Sequence, residues 1–202
     1  MRVPFAEYVE RELDAQALLI NCGLPATNKT ETSELVVRLR GFTLLRSDLI
    51  RKEVLAGEDI FDEKVAASMD KRVRVYDEMF RRAEEAAAQP GGVILDATFV
   101  KQELRLRAAA VAARHGRPFV IHETRAPRDY SIQKILKRTK ENYESNALTE
   151  QAYDNNVAKF ERIDAEQIID RHPELRVIHV VIDTGSDDES EWAVAEKTIW
   201  ES

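Results

Sequence analysis

Five short apolar runs rich in β-branched residues punctuate the chain: "ALLINC" (17–22), "FTLLR" (42–46), "GVILDA" (92–97), "PFVIHE" (118–123) and "RVIHVVID" (176–183). Runs this short and continuous suit strands buried on both faces, the condition of a parallel sheet. Helical patterns lie between them. In the clearest, Val65, Met69, Val73, Tyr76, Phe80, Ala83 and Ala87 recur at steps of three and four, which places them on one helix face. Strands alternating with helices and joined by right-handed crossovers predict the α/β class: a three-layer α/β/α sandwich around a five-stranded, mainly parallel sheet. With 202 residues, 44% hydrophobic, the chain can bury one good core. The expectation is a single domain over 1–202, with 1–15 as an N-terminal helical extension. The polar segment "RTKENYESNALTEQAYDNN" (138–156) breaks the alternation and reads as part of a lid spanning about 134–160.

The formal charge of −7 disfavours nonspecific coating of nucleic acid, which rests on many phosphate neutralisations by Lys and Arg. A local basic cleft is compatible with it. One cysteine, Cys22, allows no internal disulfide and no paired-cysteine zinc site. The first residues are too acidic for a signal peptide and no apolar run reaches membrane-spanning length, so the cytoplasm is the expected location, with no membrane partner. The four histidines, at 115, 122, 172 and 179, lack His-Glu-x-x-His spacing.

The first apolar run breaks into Gly23, Leu24, Pro25, Ala26, Thr27 and Asn28, followed by Lys29 and Thr30. A phosphate cradle needs these parts in this order: a strand, a compact loop with inward N–H groups, a lysine for the outer phosphates, and a hydroxyl for Mg²⁺ opening a helix. Glu31 lies in the acidic first turn of that helix. Asn28 stands where the pattern G-x-x-x-x-G-K-[ST] has its second glycine, and asparagine is among the residues that most readily adopt positive φ. Its amide could also donate to a phosphate oxygen. The alternative is a strand-to-helix turn with a chance lysine.

After the second run, Asp48 and Arg51 stand at i and i+3, on one side of a first helical turn at a strand's carboxyl end. A carboxylate there can take a proton from a hydroxyl, and an arginine can fix the acceptor. Alternatively, Ser47 or Asp48 caps the helix. Asp96 closes the third run, where a carboxylate can hold Mg²⁺, reach the acceptor, or merely start a turn.

Together "GLPATNKT", "RSDLIRKEVL", "VILDATF" and "APRDYSIQKILKR" resemble the phosphate-loop kinases grouped with polynucleotide kinase, gluconate kinase and the zeta-toxin sugar-nucleotide kinases, over residues 17–184. The resemblance implies that Lys29 and Thr30 serve ATP and Mg²⁺, that Asp48 is the base, that Arg51 lies on the acceptor side, and that Asp96 sits at the metal. It further implies a lid helix after Pro127, with basic residues seven and eleven positions on; here these are Lys134, in place of an arginine, and Arg138, which reaches the transferred phosphoryl group. The loop after Thr184 resembles the adenine site. Arg105 is a weaker candidate for facing the cleft. The function expected is transfer of the ATP γ-phosphoryl group to an unidentified hydroxyl acceptor, a nucleic-acid end included. The rivals are a nucleotide-binding module and an ATPase switch driven by a protein partner.

Overall fold

The computed structural model describes residues 2–57, 69–137 and 149–201. Its elements run β1 (Val3–Pro4), α1 (Phe5–Arg11), β2 (Leu18–Gly23), α2 (Lys29–Arg40), β3 (Thr43–Arg46), α3 (Ser47–Val54), α4 (Met69–Ala87), β4 (Val93–Asp96), α5 (Gln102–Arg114), β5 (Phe119–Arg125), α6 (Arg128–Leu136), α7 (Glu150–Lys159), α8 (Ala165–Arg171), β6 (Val177–Asp183) and β7 (Ala193–Trp200). The strands form one sheet in the order β1-β7-β6-β5-β2-β4-β3. The five apolar runs supply its parallel part, with β2 between β4 and β5.

The sheet therefore has seven strands rather than the five expected. Both additions are antiparallel: β7 pairs with β6, and β1 pairs with the start of β7. Most of β7 is exposed, so it carries Glu196, Lys197 and Thr198 instead of a continuous apolar run and gives no buried-strand signal.

Alternation along β2 builds the layers. Leu18, Ile20 and Cys22 face one side of the sheet, where α4, α5 and α8 contribute Met79, Ala83, Ala108, Ala109 and Ile168. Leu19 faces the other, against Leu35 and Val36 of α2 and Phe5, Tyr8 and Val9 of α1. The N-terminal helix thus inserts its aromatic side chains into a core cluster, where His122 lies against both Phe5 and Tyr8. Along α4 the buried stripe is Val75, Met79, Phe80 and Ala83, while Val73, expected on the buried face, is 47% exposed. The stripe is offset because the helix presents 75 and 79 to the sheet, and Val65 lies outside the described residues.

A third, small cluster joins Ala26 of the loop after β2 to Ile135 of α6 and Tyr153 of α7. This helical pair packs against the loop at the carboxyl edge of the sheet. No described helix is long and apolar enough to cross a membrane.

Candidate active site

The loop from Leu24 to Asn28 links β2 to α2 at the centre of the parallel sheet, beyond its carboxyl edge, where open α/β sheets hold ligands. Gly23 has φ 152°, and a Cβ there would come within 2.6 Å of Thr124 Oγ1 and 2.7 Å of the Thr124 carbonyl. Glycine is required by this close approach. Asn28 is left-handed (φ 56°, ψ 29°) and forms the N-cap position of α2. Ala26 is left-handed as well, at φ 60°, a second strained residue that its side-chain type does not signal. Alternating backbone hands of this kind turn successive N–H groups into a concavity that suits an anion.

The loop is braced by side chains. Thr27 Oγ1 bonds the Leu24 carbonyl at 2.9 Å and lies 2.7 Å from Thr124 Oγ1. Thr184 Oγ1 donates to the Thr27 carbonyl at 2.9 Å. The ends of β5 and β6 therefore hold the loop from one side. Asn21, fully buried in β2, donates to the Lys29 carbonyl at 2.7 Å and so ties the strand to the first turn of α2. Lys29 Nζ reaches back to the Leu24 carbonyl at 2.5 Å, which folds its ammonium over the loop.

The Asn28 side chain is directed away from any phosphate. Its amide donates to the Thr184 carbonyl (2.8 Å), the Ser186 carbonyl (3.1 Å) and Tyr130 Oη (3.0 Å), while its carbonyl accepts from Lys134 Nζ. An amide with two protons has no donor left, so a bond from Asn28 to a phosphate oxygen is not available in this arrangement.

Thr30 Oγ1 donates to Asp96 Oδ2 at 2.7 Å. Burial pushes the Asp96 carboxyl up to about 6, against the lowering effects of the Thr30 bond and of Lys29. A hydroxyl and a buried carboxylate are hard oxygen donors of the kind Mg²⁺ takes, and a cation would relieve the cost of that buried charge. Asp96 lies opposite Arg46 in the β3–β4 ladder. Arg46 grips Asp48 with two bonds, Nη2 to Oδ2 at 2.8 Å and Nε to Oδ1 at 3.2 Å. Arg46 occupies the N-cap position of α3 and makes no side-chain capping bond, while Asp48 Oδ1 accepts the Leu49 N–H at 2.9 Å, so Asp48 supports the first turn of the helix as well as facing Arg46. Burial lowers the pKa of Arg51, opposed by the charges of Tyr76 and Asp48.

Gly23, Lys29, Thr30, Asp48, Arg51 and Asp96 thus gather at the carboxyl ends of β2, β3 and β4. Lys134 lies on α6 with its ammonium on Asn28 and 3.3 Å from Glu31. Arg138 lies outside the described residues. Arg105 does not face the cleft: it is fully buried, donates to the carbonyls of Phe99 (2.9 Å) and Arg162 (3.1 Å), and stacks on Phe160.

A family model described as the AAA domain matches residues 18–163. The chain belongs to this family. The AAA-domain match spans every part of the site just described except the turn after β6. Among solved structures, the chain is similar to a gluconokinase from Sinorhizobium meliloti 1021, at 15% identity and TM-score 0.57, covering 86% of each chain. It is similar to a sugar kinase from Janibacter sp. HTCC2649 at 12% identity and TM-score 0.58, over 85% of this chain and 86% of that one. It is also similar to the AvrRxo1-ORF1:-ORF2 structure with ATP, at 16% identity and TM-score 0.60, over 96% of this chain and 61% of that one. These likenesses establish a phosphate-loop kinase fold. No curated protein sequence matches the chain.

Three residues that brace the candidate site carried no sequence signal. Arg46 ends an apolar run like many solvated residues, Thr124 is an ordinary strand threonine, and Tyr130 lies on the polar face of α6. Thr124 and Tyr130 are connected to Gly23 and Asn28 only across the fold, whereas Arg46 is two residues from Asp48.

Proposed function

We infer that this protein is an ATP-dependent phosphotransferase, acting on a hydroxyl acceptor. The observation that carries the reading is the clustering of the preformed loop, the Thr30–Asp96 pair and the Arg46-held Asp48 at the ends of three adjacent parallel strands. The kinase names borne by solved structures of this fold support it.

Loop N–H groups and Lys29 bind the ATP phosphates, with Gly23 to Glu31 forming the nucleotide side. Thr30 and Asp96 would hold Mg²⁺, which would neutralise charge on the phosphates. The acceptor O–H enters between Asp48 and Arg51. Its oxygen bonds to the γ-phosphorus, the bond to the β,γ-bridging oxygen breaks, ADP departs, and the acceptor proton passes to the Asp48 carboxylate. Arg46 orients that carboxylate, and Arg138 stabilises the transferred group. The chain works as a single domain, the lid expected over about 134–160 lying outside the described residues at 138–148, and one buried cysteine suits the cytoplasm.

The test is a panel of sugars, nucleosides and oligonucleotide 5′ ends incubated with γ-labelled ATP. Label transfer that Asp48→Asn abolishes supports the reading. ATP binding without transfer to any acceptor class would leave a nucleotide-binding module, and acceptor-independent ATP turnover stimulated by a protein would leave the switch.

A further inference from the structure

Asn28 and Lys134 are joined by a hydrogen bond that links the phosphate loop to α6. The Asn28 side chain is 2% exposed and bonds through both its amide and its carbonyl to groups outside its own loop. If Lys134 withdrew, the Asn28 carbonyl would lose a charge-assisted bond in a buried place, a costly loss. Lys134 in turn sits between that carbonyl, Glu31 at 3.3 Å, Asp187 at 3.6 Å and the face of Tyr130, whose ring centroid is 5.7 Å away. Tyr130 closes the circuit: its hydroxyl accepts from Asn28 and donates to Asp187 at 2.7 Å. One network therefore links the loop, the first turn of α2, the helix α6 and the turn after β6.

We propose that Asn28 and Lys134 act as one positioning unit, a latch that couples the shape of the phosphate loop to the seating of α6. Resting on the kinase reading, this makes Lys134 act on the nucleotide through Asn28 rather than by direct contact with the transferred group. The left-handed backbone at Asn28 has two supports: the tolerance of asparagine for positive φ, and side-chain bonds that glycine cannot make. Glycine at 28 keeps the backbone accessible but frees the loop from α6. Methionine at 134 keeps the aliphatic stem but leaves the Asn28 carbonyl without its donor.

The test is a double-mutant cycle with Asn28→Gly, Lys134→Met and both together, read in two ways. In the nucleotide-free protein, hydrogen exchange follows the loop and α6. The latch requires Lys134→Met to speed exchange at residues 24–30 and Asn28→Gly to speed it at 128–136, each by about tenfold, with the double variant no faster than either single. With Mg²⁺-ATP, each single change should raise KM for ATP about tenfold, and the double change should raise it about tenfold again rather than a hundredfold, while kcat moves less than about threefold. Exchange changes confined to the element that carries the substitution, or an additive hundredfold rise in KM, overturn the latch. A loss of kcat with KM unchanged in Lys134→Met also overturns it, since that pattern marks direct action on the transferred phosphoryl group. Coupled exchange in a wild-type protein that gives no ATP-induced melting shift would retain the latch and overturn the kinase reading instead.

Discussion

Thr30 Oγ1 and Asp96 Oδ2 lie 2.7 Å apart, joining the first turn of α2 to the end of β4. The contact brings together the two oxygen donors best suited to a metal-bound phosphate, and it does so where burial makes a lone carboxylate costly. The raised pKa of Asp96 is therefore an electrostatic load on the fold, of the kind that clusters at functional sites.

That load has a sign. Asp96 is raised from 3.8 to about 6, so between these values the folded state binds the proton and the unfolded state does not. Stability is greatest below about pH 4 for this group and falls as pH rises through about 6, by up to roughly 3 kcal/mol. Asp96→Asn should thus raise the melting temperature of the nucleotide-free protein at pH 8, and the gain should vanish near pH 4. The Mg²⁺-dependent part of ATP binding should weaken about tenfold per pH unit below about 6, because the proton competes with the cation. Melting curves and titration calorimetry across pH 4–8 check both.

Gly23→Ala is expected to displace the loop, because its Cβ would meet the Thr124 side chain at 2.6 Å and the Thr124 backbone at 2.7 Å. The backbone carbonyl cannot swing aside as a side-chain end can. The variant should remain folded with a melting temperature a few degrees lower, about 1–2 kcal/mol, yet lose most of its ATP-induced stabilisation. A wild-type-sized ATP shift in this variant would disprove the loop's role.

Asp48→Asn should reduce transfer by roughly a hundredfold or more with nucleotide affinity nearly unchanged. Arg46→Gln removes the two guanidinium bonds to Asp48, leaving only the Leu49 N–H on its Oδ1, and should cost between about tenfold and a hundredfold in kcat, again with little change in ATP affinity. Steady-state kinetics beside ATP titrations would separate these effects; a parallel loss of binding would indicate general damage to α3.

Arg105→Met should destabilise the protein by roughly 2–4 kcal/mol, through loss of the buried bond to the Phe99 carbonyl, which keeps only the weak Cys22 Sγ donor, and of the bond to the Arg162 carbonyl. Phe99 has φ 43°, and the preceding Thr98 carbonyl receives the Gly23 N–H at 3.3 Å. Loss of the Arg105 bonds therefore reaches the phosphate loop. Urea unfolding should show a lower midpoint, and the ATP-induced shift should shrink without any contact between Arg105 and the nucleotide.

Local pattern by itself determined the parallel strands, the helix-covered faces and the order of the loop parts, because apolar periodicity and glycine or asparagine at a strained φ are properties of short segments. Leu18, Leu19 and Ile20 already alternate between the two faces they occupy, and Asn28 has the positive φ its side chain tolerates. Strand β7 escaped that logic, since its middle is exposed and only its ends, Val194 and Trp200, pack against the core clusters, which leaves no apolar run to display. Tertiary structure alone decided where polar side chains spend their bonds. Arg105 turned from the cleft to the carbonyls of Phe99 and Arg162, the latter 57 residues away, and the Asn28 amide turned to Thr184, 156 residues away, instead of to a phosphate. A hydrogen-bonding side chain at a strand end or helix start has several partners within reach of its own segment, and only the packing of distant elements determines which of them is buried beside it.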